Sequence, residues 1–383
     1  MSRPAPFSRP VLHRRLGDDG RYDAAFAALA AEYERLRGSA GFFDGLDGEI
    51  VALADRFSPL QDAPRLTQAA GGARILLKRE DLCAAGARLM VAVAGQAAIA
   101  RKLGRATLVT STVNGPRGIA TATVAARLAL KAMVFMDRDD LDRHKDAVLR
   151  MRLLGAEIRG VTRRDLPERD VRIPALDHWT QDTARAFPVM GLDAPPQAAG
   201  PLGADVIAVI GRETQRQAQT LAGRAPDQLV ARGGDTADAI GWFEPFLSGE
   251  TRLACVAPGR DLGIEHKDEP LGRGRGASRD ALDRMAQASL AAREHAPVVR
   301  EHGLLRASGR VEYVDAAPAT AHKALAEAGA LEGVVPSIET AHAIAWTCGA
   351  AAQMKRDQVA IVMIAETVDA ELPELARLLE GQR

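Results

Sequence analysis

Between Ala106 and Val161 the chain alternates strand-like runs with helix-length segments, and this rhythm limits its fold more than any other feature. Ala106–Thr110, Lys131–Met136 and Glu157–Val161 read as strands, and Gly118–Leu128 and Leu141–Leu154 between them as helices. Strands joined by helical crossovers lie parallel, and the helices then cover the faces of the sheet. The rhythm resumes at Gln228–Ala231, Arg252–Ala257 and Val359–Ile364. Before it, Tyr22–Leu36 and Glu49–Phe57 read as helices, Arg74–Lys78 as a strand, and Ala87–Leu103 as a helix ending before Gly104. Ser278–Leu305 is charged and helical in pattern. The expected class is α/β, and 383 residues suffice for two globular domains.

Lys and Arg balance Asp and Glu at a net charge of zero. That argues against a dedicated nucleic-acid or membrane surface. No run is long and apolar enough to span a bilayer, and Met1–Pro10 lacks the apolar core of a secretory signal. Cys83, Cys255 and Cys348 are few and widely spaced, which reads as reduced thiols in a cytoplasmic protein with no metal site. The Asp137-Arg138-Asp139-Asp140 run reads as a solvated helix start.

Several ordered motifs carry a resemblance. Leu77-Lys78-Arg79-Glu80-Asp81-Leu82, Gly86-Ala87-Arg88-Leu89 and Gly95-Gln96 come first. Ile119 to Ala126, Met151 to Glu157, Ile210-Gly211-Arg212-Glu213 and Val335-Pro336-Ser337-Ile338-Glu339-Thr340 follow. Together they resemble the β subunit of tryptophan synthase over nearly the full length. The resemblance implies the type II fold of pyridoxal phosphate (PLP) enzymes: two three-layer α/β/α domains with a cleft between them. It places 1–54 and 88–204 in the first domain, with a mobile subdomain at about 104–190, and 55–87 and 205–383 in the second. It also implies a homodimer and an α-subunit-like partner.

The same resemblance shows departures at the positions that carry the family's chemistry. The lysine that forms the Schiff base aligns with Leu89, and the histidine before it with Arg88. An aliphatic side chain forms no imine. The catalytic glutamate aligns with Ser111. The turn that binds the substrate carboxylate reads Val113-Asn114-Gly115-Pro116-Arg117-Gly118, where Pro116 has no N–H to donate. The phosphate loop reads Gly234-Asp235-Thr236-Ala237-Asp238, with two carboxylates where a dianion binds. The serine that anchors the pyridine ring aligns with Ala365. Lys78, which active relatives share, and Lys267 are the lysines weighed as substitutes.

These departures lead to the expectation that PLP is absent. The cleft is then polar and repurposed to bind or transform a small anionic metabolite, in a protein that is not a functional tryptophan synthase. Arg88, Asn114, Arg117, Arg232, Asp235 and Asp238 are its candidate ligand-binding residues, and Glu339 and Ser111 its candidate catalytic ones. Against this stands a reading in which the new arginines and acids pair and fill the vacated space. Two alternatives remain: a non-catalytic partner of an α-subunit-like enzyme, and a PLP-dependent lyase using another lysine. His302 and His342 read as hydrogen-bonded within the scaffold.

Overall fold

The computed structural model describes residues 21–54, 58–83, 87–166, 170–190, 202–233, 237–258, 305–316 and 318–365. The chain forms two compact units, Met1–Phe57 with Leu82–Val209, and Ser58–Asp81 with Ile210–Arg383. The Ser278–Leu305 segment lies almost wholly outside the described residues.

The first unit is built on a four-stranded, fully parallel sheet. Its strands are β3 (Thr107–Ser111), β4 (Lys131–Asp137), β5 (Glu157–Val161) and β6 (Ala186–Pro188), in the order β5-β4-β3-β6. Helix α5 (Pro116–Arg127) crosses from β3 to β4, and α6 (Arg138–Arg143) and α7 (Lys145–Leu153) from β4 to β5. Helix α8 (Arg172–Gln181) leads to β6, and α1 (Arg21–Arg37), α2 (Phe42–Leu53) and α4 (Ala87–Lys102) complete the unit. Leu108, Val134, Met136, Met151 and Phe187 are buried between sheet and helices. Helix α4 is buried on every side from Met90 to Ala100. It runs close to α9 (Leu202–Ala222): a Cβ on Gly95 would lie 2.4 Å from a Val206 methyl, so only glycine admits this approach.

The second unit carries a six-stranded sheet. Its strands are β1 (Leu60–Asp62), β2 (Arg74–Arg79), β7 (Gln228–Arg232), β8 (Arg252–Pro258), β9 (Val311–Ala316) and β10 (Val359–Ile364), in the order β1-β2-β10-β7-β8-β9. Only β1, at the edge, runs antiparallel to its neighbour. The short helix α10 (Ala237–Phe243) lies between β7 and β8 in the chain. The central β10 is buried on both faces, as its unbroken apolar sequence requires. Ile75, Leu77, Val230, Val256, Ile344 and Val362 share one core with α3 (Pro64–Ala70), α11 (Pro318–Glu332) and α12 (Ile338–Ala352). Ser337 caps α12, its hydroxyl accepting from the Thr340 N–H at 3.3 Å.

Two helices differ from their sequence reading. The helix expected at Glu49–Phe57 begins at Phe42, after Gly41 with φ +71°. Gly45 and Gly48 weaken the local helical signal there, and burial of Phe42, Leu46 and Ile50 overrides it. The helix expected over Leu141–Leu154 breaks at His144 (φ −114°, ψ 48°) into α6 and α7. In the acidic run before it, Asp139 faces solvent, but Asp137 and Asp140 are buried rather than solvated.

Candidate functional site

Strand β3 ends at the position where sequence reasoning placed a candidate catalytic group. Ser111 is its last residue and is buried. The following turn is tied down from both sides. The Thr112 N–H donates to the Phe135 carbonyl at 3.0 Å, and the Gly115 N–H donates to Thr112 Oγ1 at 3.1 Å. Gly115 has φ +107°, and a Cβ there would lie 2.4 Å from that of Ala147. Any other residue would be strained in conformation and crowded at once. Pro116 opens α5 at the first helical position, where its fixed φ suits the helix and the missing N–H has no intrahelical partner to lose. For a ligand at this helix start, the same proline still means one donor fewer.

A cavity of about 330 Å³ opens at this turn. Leu89 from α4, Ser111, Asn114 and Arg117 line it together, along with Asp170 and Arg172. A smaller pocket of about 20 Å³ shares Ser111, Arg117 and Arg172 and continues among Val109, Leu176, Pro188 and Met190. All these residues belong to the first unit. The structure thus gathers four of the residues singled out from sequence, and adds two that sequence reasoning missed. No motif marks Asp170 and Arg172; their only signal is a pair of opposite charges two residues apart. In the fold they form a tight ion pair. Arg172 donates through Nε to both Asp170 oxygens at 2.9 and 2.7 Å, and through Nη2 to Oδ2. Asp170 Oδ1 also accepts the Arg172 backbone N–H at 2.8 Å.

In the second unit, Arg232 at the end of β7 and Glu339 in the first turn of α12 form a direct ion pair through Nη1 and Oε2. Three residues on, His342 is fully buried, with Nδ1 2.8 Å from the Ile338 carbonyl. That contact makes Nδ1 the protonated nitrogen of the neutral ring. Burial, above all, lowers its pKa; His322 pushes the same way, while the Ile338 bond and Glu339 oppose it. Burial and Arg159 lower that of His178 as well. The folded state therefore resists taking up these protons. As pH falls from the ordinary histidine value near 6.5 through the folded values, the unfolded chain binds protons that the folded chain does not. Stability is expected to fall across that window. Urea midpoints at about pH 7.5 and about pH 5.5 read the loss, and His342→Gln should flatten the dependence.

Lys78, weighed as a substitute lysine, is committed elsewhere. It is fully buried in β2, and Nζ donates to the Ser58 carbonyl (2.6 Å), Gln217 Oε1 (2.9 Å) and Glu213 Oε2 (3.0 Å). None of the described lysines lines either cavity. Lys267 lies outside the described residues, as do His302, Gly234, Asp235 and Thr236. The backbone of Arg88, Ala237 and Asp238 is helical, and their side chains are outside the description. Ala365 follows β10, half-buried. Among the described residues no three metal-ligating side chains stand together, and no helix is long and apolar enough to cross a membrane.

Comparison with known proteins bears directly on this site. The family model of pyridoxal-phosphate dependent enzymes matches residues 51–365. The tryptophan synthase beta chain of Acinetobacter calcoaceticus is 34% identical over 368 residues, covering 93% of this chain and 91% of that one. That of Afipia carboxidovorans is 32% identical and covers all of both chains. The crystal structure of a T.th. threonine deaminase aligns with 83% of this chain and 97% of its own, at 19% identity and a TM-score of 0.49.

These matches correct the reading drawn from the departures. The family model and the relatives point to PLP as cofactor, which overturns the expectation of none. They equally overturn the expectation of a PLP-independent, repurposed protein that is no tryptophan synthase, and that of a non-catalytic partner. The physical reason lies in the weighing of residues. Altered side chains at separate points of the chain were set against a whole scaffold, and Pro116, read as a loss, fits the local backbone well. One mismatch with the cofactor stays in view: Leu89 lines the cavity with an aliphatic side chain, so position 89 offers no amine for a covalent link. The family match spans Val51 to Ala365, most of the chain, and the chain belongs to the family of pyridoxal-phosphate dependent enzymes.

Proposed function

We propose that this chain is a pyridoxal-phosphate dependent enzyme of the tryptophan synthase beta type, acting on an amino acid bound beside Ser111. The observation that carries the reading is similarity to chains of that name over more than nine-tenths of both lengths. When bound, PLP supplies an electron sink for carbanion chemistry on an amino acid. The chain's own contribution is binding and orientation. The first turn of α5 favours an anionic group, because its leading N–H groups have no acceptor one turn back and the helix dipole is positive there. Asn114, exposed in the turn just before the helix, adds an amide. Ser111 offers a hydroxyl at the end of β3.

The proposal includes the departure at position 89: with leucine there, the cofactor is held by contacts and not by a bond from that residue. It also includes an α-chain-like partner, which the relatives' designation as a beta chain suggests, and a homodimer of this chain. The purified protein titrated with PLP is expected to show saturable visible absorbance and a raised thermal midpoint. Absence of both would sink the reading. Light scattering of the same sample at twice the chain mass supports the dimer, and a monomer mass removes it. Supplying serine with indole then tests whether the relatives' named reaction is also this chain's.

A further inference from the structure

We infer that Arg172 and Ser111 form a recognition site for an acidic group on the second substrate, the acceptor that joins the amino acid. This rests on the proposed function and names the substrate class of that same site.

Three observations carry it. First, Arg172 is pinned. Asp170 engages Nε and Nη2 and also accepts the backbone N–H at the start of α8, so one carboxylate fixes both ends of the side chain. Second, pinning leaves an edge over. Arg172 Nη1 hydrogen-bonds no described residue, while the side chain lines both cavities and remains 35% exposed. An arginine held on one side by a carboxylate and open on the other is already oriented for a planar anion, with little further ordering to do. Third, Ser111 is 6% exposed, and its hydroxyl hydrogen-bonds no described residue. Its oxygen is not one of the fully enclosed polar atoms that lack a partner, so the hydroxyl is open to the cavities and available to donate. Ser111 and Arg172 line the same two cavities, so a ligand entering there meets both donors.

An acceptor with a carboxylate satisfies both groups. One oxygen accepts from Arg172 Nη1 and the other from Ser111 Oγ. A purely apolar acceptor would desolvate the guanidinium edge and leave the hydroxyl unpaired. The small pocket beyond, walled by Leu176, Pro188 and Met190, has room for little more than a methyl group or a water.

The test uses benzoate and its neutral isostere benzamide, titrated calorimetrically into the full-length protein with PLP present. Benzoate is expected to bind more tightly than benzamide. Arg172→Gln should weaken benzoate about ten- to a hundredfold and leave benzamide unchanged. Ser111→Ala should weaken benzoate by a smaller factor. Arg172→Lys should restore only part of the affinity, because an ammonium lacks the planar edge. Circular dichroism confirms that each variant is folded. If Arg172→Gln disturbs α8, Ser111→Ala and the benzoate-to-benzamide ratio of the natural chain still decide. Equal binding of the two probes, or a folded Arg172→Gln that binds benzoate as tightly as the natural chain, overturns the proposal. PLP binding is read separately by absorbance, so failure of the proposed function is distinguishable from failure of this site.

Discussion

Leu89→Lys is expected to give a protein that keeps pyridoxal phosphate after borohydride reduction and denaturation, whereas the natural chain releases it. The substitution changes one side chain on the cavity wall. Leu89 is half-buried near the start of α4 and faces the 330 Å³ space shared with Ser111 and Asn114. A lysine stem can lie along the same apolar path while its amine reaches the open space. Partial desolvation there lowers an amine's pKa and makes it a better nucleophile. Intact mass after reduction reads the outcome directly, as an added cofactor mass in the variant and none in the natural chain. If folded Leu89→Lys carries no adduct, position 89 does not face the cofactor. An adduct already present in the natural chain would show that a different lysine makes the bond.

Lys78→Met is expected to destabilise the protein by about 3–5 kcal/mol, the cost of removing one member of a buried charge cluster. The ammonium is fully buried and is the common partner of the Ser58 carbonyl, Gln217 and Glu213, with Glu80 3.7 Å away. Glu80 is itself buried, its carboxylate accepting from the Ser58 hydroxyl. Methionine has the length but no donor, so it leaves carboxylates without their cation. Urea unfolding measures the loss. A change of under about 1 kcal/mol would mean that Glu213 and Glu80 find water or another partner. The exposed pair Arg159–Glu157, at 2.9 Å, is the control: Arg159→Ala should shift stability by no more than about 1 kcal/mol.

Much of the fold could be read along the chain because parallel strands carry local signals. Strands β3 and β4 are largely apolar or branched runs, each with a helix after it, and the right-handed crossover leaves few alternatives. Strands β5 and β10 begin and end at the expected residues, and β2, β3, β4, β7 and β8 lie within one residue of them, whereas β1, β6 and β9 were not read from the sequence. The helices around His144 and before Ala54 were less legible. Their limits depend on which residues are buried against the sheet, not on composition within the helix.

The site was legible in one sense and misread in another. Ser111, Asn114, Arg117 and Leu89 were singled out by position in a resembling family, and they meet in one cavity. Their meaning was then drawn from what each had lost. Backbone geometry speaks differently: Gly115 holds a conformation and a contact that only glycine allows, and Pro116 suits the first position of α5.

The sequence by itself determined the α/β class, seven of the ten described strands and the family, because these rest on local periodicity and on motifs read in line. Tertiary structure alone decided which distant side chains share a space. Asp170 and Arg172 lie some sixty residues beyond Ser111 and carry no motif, yet they line the same cavity. Likewise Lys78 meets Glu213 across 135 positions, and Arg232 meets Glu339 across 107. Pairings of this kind follow from how crossovers stack strand ends and helix starts in space, and charge along a chain does not record that.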